Sequence, residues 1–150
     1  LVLDIQPTFL MTDLHWIEER VGKERAVLSY PWKTYLDAGL IMAGGSDAPV
    51  ESFNPWIGIY ATVTRQDMDG YPVGGYHPDE KIPVYDAVCM YSKNVAYANG
   101  DQDLMGTIEA GKFADMVVID RDIFHIPEND IKDIQVLNTY MAGIERYHRD

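Results

Sequence analysis

The chain has 150 residues, 47% of them hydrophobic and 11% aromatic, enough apolar material for the core of one domain or for parts of two. Its formal charge of −12, with only 12 Lys and Arg, argues against nucleic acid as a partner, because phosphate binding needs clustered cations. No run of about 18 apolar residues is present and no basic-then-apolar leader opens the chain, so neither a membrane span nor a signal peptide is expected.

Leu1 is not an initiator methionine and strand-like sequence starts at once, as expected of a segment of a longer chain. Val2 to Phe9 reads as a short strand. Thr12 or Asp13 is then expected to cap a helical turn with Leu14, Ile17 and Val21 on one face and Gly22 as its stop. Ser29 and Pro31 open a second helix, with Trp32, Tyr35 and Leu36 at i, i+3 and i+4 and Gly39 as the left-handed residue that ends it. Leu40 to Asp47 is a nearly continuous apolar run that suits a parallel strand buried on both faces, and it ends in two glycines, a serine and an aspartate. Asn54-Pro55 caps and starts a third helix, along which Trp56, Ile59, Tyr60 and Val63 recur at helical spacing. Residues 66–81, rich in Gly, Asp, Pro and Tyr, have no periodicity and read as a long loop of the functional or mobile kind.

A fourth helix is expected from Pro83 to Ala98, with Val84, Val88, Tyr91 and Val95 inward and Asn99-Gly100 as its end. It carries the single cysteine, Cys89, which excludes an internal disulfide; the apolar setting suggests a buried, inert thiol, compatible with a reducing, cytoplasmic compartment. Beyond it the pattern turns to short strands. Gly106 to Asp115 and Met116 to Ile119 suggest a strand pair around a Glu-Ala-Gly-Lys turn with Gly111 at positive φ, and Ile134 to Tyr147 suggests two more strands about Ala142-Gly143. Strand–helix alternation followed by short strands makes the fold class α/β with a β-rich end.

Asp47, in Gly44-Gly45-Ser46-Asp47-Ala48-Pro49, is the strongest candidate for chemistry. A carboxylate at the C-terminal end of a buried parallel strand faces the mouth of a barrel or crevice, where it can ligate a divalent metal and accept a proton from an attacking water. The plainer alternative is an aspartate that only caps the following turn. His15, His77, His125 and His148 form no His-x-His or His-x-x-x-His pattern and read as surface or loop residues. His77 is the exception, a candidate substrate-binding residue, because Gly74-Gly75-Tyr76-His77-Pro78 lies in the long loop after the Asp47 strand. Trp32, Trp56 and Tyr60 could line a pocket, but their helical spacing is that of core packing. Arg65 could meet an anionic group, or simply favour a helix C-terminus.

Gly45-Ser46-Asp47-Ala48-Pro49 with Asn54-Pro55, followed by Gly106 to Asp120, resembles the C-terminal signature of the amidohydrolase superfamily, in the branch of N-substituted formamide deformylase-like and YtcJ-like hydrolases. Ile5 to Thr8, Glu24-Arg25, Ala61 to Arg65 and Ile131 to Gly143 add matches in the same order. The resemblance implies that residues 1–100 supply the last strands and helices of a (β/α)8 TIM barrel and residues 101–150 strands of a small β-sandwich, with structural roles for Lys112 and Asp115. It implies that Asp47 is metal ligand and general base, that the cofactor is one or two divalent ions, zinc foremost, and that the histidine ligands lie upstream of Leu1. The implied reaction is hydrolysis of a small-molecule amide at a non-peptide C–N bond, by a protein free to form a homo-oligomer, with this segment inactive alone. Two rivals stay open: a non-enzymatic β-rich assembly module, and a related hydrolase of cyclic amides or esters.

Overall fold

In the computed structural model, which describes residues 1–150, β1 (Val2–Ile5) and β2 (Ile41–Gly44) run parallel, with Val2 opposite Ile41 and Ile5 opposite Gly44. Parallel neighbours need a crossover connection. α4 (Trp32–Asp37) provides it, ending at Gly39 with φ +74°. The two strands therefore end at the same edge, and from that edge each leads into a long excursion. Residues 6–31 fold into α1 (Phe9–Asp13), α2 (Ile17–Val21) and α3 (Lys23–Ala26). Residues 45–83 hold α5 (Pro55–Thr64) and a 3-10 turn at Pro78–Glu80. α6 (Val84–Met90) and α7 (Lys93–Asn99) then pack back on β2.

The excursions are fastened to each other. Thr12 Oγ1 donates to Glu51 at 3.1 Å, and His15 pairs with Asp67 at 2.9 Å while its ring stacks on Tyr71. Arg65 Nη1 donates to the Tyr30 carbonyl at 2.9 Å, and Glu80 accepts from the Thr34 amide at 2.9 Å in the first turn of α4. Unpaired amides at a helix start favour such a carboxylate. The 66–81 loop is thus a pinned element, held further by Gln66 Nε2 on the Gly70 and Pro72 carbonyls.

One hydrophobic cluster joins Leu10, Trp32, Met42, Ile59, Tyr60, Ile82 and Met90 to Ile123, Ile131 and Ile134, so the core runs across residue 100. Past it, β3 (Met116–Ile119), β4 (Val136–Met141) and β5 (Ile144–His148) form an antiparallel sheet in that order. Ala142 and Gly143, at φ +51° and +77°, make the tight turn between β4 and β5. The chain is therefore a mixed α/β structure with two small sheets. None of its helices is long and apolar enough to cross a membrane.

Three expectations are corrected. β1 stops at Ile5, and helix starts at Phe9 rather than after Thr12 or Asp13, because Pro7 cannot extend the ladder and its carbonyl accepts the Leu10 amide. The fourth helix is two, broken at Tyr91–Ser92, where Ser92 Oγ bonds back to the Val88 carbonyl at 2.8 Å. Residues 106–108 form no strand: Phe113 donates to the Leu104 carbonyl, closing a compact turn that leaves Ile108 85% exposed. Cys89 is buried and free, as its apolar setting suggested.

Candidate active site

Asp47 follows β2 by three residues, on the edge from which both excursions leave. It is exposed and holds φ +53°, a left-handed conformation that few L-residues adopt and that Asp tolerates better than most. Its carboxylate enters none of the chain's ion pairs. Side-chain capping of the turn falls instead to Ser46, whose Oγ accepts from the Ala48 amide at 3.3 Å, and to Ser52, which does the same for Asn54. A strained backbone presenting an unused carboxylate is a geometry that functional sites often show.

Ser46, the residue before Asp47, lines a cleft of about 220 Å³ together with Thr8, Gly44, Gly45, Asn54 and Tyr91 among others. Asn54 caps α5 by accepting from the Trp56 amide at 3.1 Å, which fixes one wall. Tyr91 fixes another. A Cβ on Gly44 would lie 2.7 Å from its ring, and one on Gly58 1.8 Å from its hydroxyl, so both glycines make room for the ring. Burial pushes the Tyr91 hydroxyl above its ordinary pKa, which keeps it neutral. Thr8 is 2% exposed and its hydroxyl has no partner. By sequence, Tyr91 reads as an inward helix residue and Thr8 as part of a matching segment, neither as a site residue. Gly58, a glycine inside a helix that costs about 1 kcal/mol relative to alanine, was the signal that something packs there.

His77, in the 45–83 excursion, holds φ +45° with Nε2 buried and unpartnered and its ring edge-on to Tyr76 at 4.2 Å. His15 is bound to Asp67, His125 to Asp122 at 2.8 Å, and His148 to Asn138 at 2.8 Å. Trp32, Trp56 and Tyr60 are core side chains. Arg65 is fully buried: it donates to the Tyr30 and Tyr76 carbonyls and lies over Trp32, 4.9 Å from the ring centroid. Burial lowers its pKa to about 10, an effect that the field of Glu80 partly offsets. Lys112 donates to Thr107 Oγ1 at 2.7 Å, and Asp115 accepts from the Ala142 amide at 2.7 Å, so both brace turns.

Asp47 suits a divalent cation as a single oxygen donor. Nowhere in the chain do three or more His, Cys, Asp or Glu side chains gather as a metal-binding group, so its own residues do not complete a centre.

Comparison with known proteins places these features in a family. A model of the amidohydrolase family matches residues 1–147. The YtcJ protein of Bacillus subtilis, named as an amidohydrolase, is 33% identical over 143 residues, covering 95% of this chain and 27% of that protein. The N-substituted formamide deformylase of Arthrobacter pascens is 37% identical over 120 residues, covering 80% of this chain and 22% of the enzyme. Among solved structures, an uncharacterized metal-dependent hydrolase from Pyrococcus horikoshii superposes with a TM-score of 0.74 at 30% identity, over 85% of this chain and 26% of that one. The chain thus spans about a quarter of the length of these relatives. With the family's model covering nearly its whole length, the chain belongs to the amidohydrolase family.

Proposed function

We propose that this chain is the C-terminal segment of a metal-dependent (β/α)8 amidohydrolase that cleaves non-peptide C–N bonds of small amides, with Asp47 as metal ligand and general base. The observation that carries the reading is the free, exposed carboxylate of Asp47 just past the end of a parallel strand, its turn-capping role taken by Ser46. In a barrel that edge is the catalytic face. The parallel β1–β2 pair, each strand followed by an excursion and a returning helix, fits two consecutive barrel units, and residues after about 100 would add sandwich strands. A whole barrel takes about 250 residues, so the remaining strands and the histidine ligands would come from upstream sequence.

Bound zinc, as one or two ions, would polarise the amide carbonyl and acidify the attacking water. Asp47 would contribute one oxygen to that centre and take the proton as water adds to the carbonyl carbon. The cleft that the neighbouring Ser46 lines with Thr8 and Asn54 would receive part of the substrate, and His77 would offer a second polar contact from the same excursion. The segment alone lacks the other ligands and should not turn over.

The test is turnover of N-substituted formamides, cyclic imides and esters by the full-length, zinc-reconstituted protein, beside the 150-residue chain. Hydrolysis of formamide-type amides by the full-length protein only is the expected result. Activity confined to imides or esters would move the assignment to another substrate class. A full-length protein that holds no metal and cleaves none of them would leave a non-enzymatic module.

A further inference from the structure

A larger cavity, of about 460 Å³, opens between the two excursions and shares no lining residue with the Thr8–Asn54 cleft. The first excursion gives it His15, Trp16, Glu18 and Glu19; the second gives it Tyr71 and Tyr76. Its aromatic surface is accessible: Trp16 is 41% and Tyr71 56% exposed. Trp16 already attracts a cation, since the Arg20 guanidinium sits 5.7 Å from its ring centroid. Glu18 and Glu19 are exposed and enter no ion pair. Tyr76 is 9% exposed, and its hydroxyl is buried without a hydrogen-bond partner. Burial raises that hydroxyl's pKa and the Glu18 carboxylate raises it further, which places Glu18 and the hydroxyl in one field. The walls are held in place by the His15–Asp67 pair and by the His15 ring on Tyr71, 5.5 Å between centroids.

Aromatic faces attract cations through their quadrupoles, and two unpaired carboxylates reinforce that sign while repelling anions. A cavity of this volume suits an organic group rather than a bare ion. We propose that this cleft binds an organic ammonium group, the protonated amine that C–N hydrolysis releases. The identity of the amine rests on the amidohydrolase reading, because the nitrogen is uncharged in the amide and takes up a proton once the C–N bond is cleaved; ammonium binding itself does not.

The probe is choline, compared by calorimetry with its uncharged isostere 3,3-dimethylbutan-1-ol, on the full-length protein. Choline is expected to bind at least ten-fold more tightly than the isostere. The Glu18→Gln/Glu19→Gln pair and, separately, Trp16→Leu are expected to weaken choline at least five-fold without lowering Tm. The Asp47→Asn variant is expected to bind choline unchanged while losing turnover. Equal affinity for choline and the isostere, no binding of either, or full choline affinity in both cleft variants would overturn the assignment. An Asp47→Asn variant that keeps its turnover while choline still binds would remove the catalytic reading and leave the ammonium site standing.

Discussion

The first hundred residues and the three-stranded sheet of residues 116–148 solve the problem of hydrophobic burial differently. In the first region, helices of four to ten residues are too short to hold by themselves, and packing sustains them. Trp32, Met42, Ile59, Tyr60 and Met90 are almost wholly enclosed, and polar links between the excursions hold the enclosure. In the second region Val117 and Val118, on opposite faces of β3, are 50% and 42% exposed, and Met141, Ile144 and Tyr147 are exposed as well. That sheet has its register, set by the Ala142-Gly143 turn and the backbone ladder, but β3 is exposed up to Ile119 and β5 along its whole length. Ile123, Ile131 and Ile134 carry the connecting segment into the core, and the sheet adds only Ile119 and Val136, half-buried against its edge. A strand pattern can fix pairing while leaving burial to other parts of a protein.

Substitutions can break this contrast. Trp32→Ala, which empties a site between the excursions and removes the surface under Arg65, should cost about 3–5 kcal/mol in chemical denaturation. A loss under about 1 kcal/mol would mean that the polar links suffice. Gly58→Ala should cost about 1–3 kcal/mol by forcing a methyl against Tyr91, and Tyr91→Phe in the same chain should restore part of it. Independent effects in that double-mutant cycle would show that the ring does not wedge there. Asn54→Ala should cost about 1 kcal/mol through loss of the α5 cap, read as a lower Tm. Ile144→Thr in the 150-residue chain should shift stability by less than about 0.5 kcal/mol. A larger cost for the same change in the full-length protein would show that another layer covers β5.

What could be read from the sequence was local. The β2 run into Gly44-Gly45, the Asn54-Pro55 helix start, the Gly39 and Gly100 helix ends and the hairpin at Ala142-Gly143 each depend on a few neighbouring residues. The parts that escaped depend on distant partners. The hydrogen bond from Arg65 joins residues 35 apart, and the His15–Asp67 pair residues 52 apart, so composition gave a long loop, functional or mobile, where the structure has a clasp. The break at Tyr91 escaped for the same reason, because the space the ring fills is left by Gly44 and Gly58 in other elements. Asp47 stood out as a residue type at a strand end, whereas its freedom from turn capping became visible only with the Ser46 contact in place.

The most direct test of the central claim is metal content and amide turnover of the full-length protein beside its Asp47→Asn variant, both dialysed and reconstituted with zinc. The account predicts a wild type that holds metal and hydrolyses amides, and a variant whose kcat falls by about 10²- to 10⁴-fold. A wild type without metal, or a variant of undiminished activity, would contradict it.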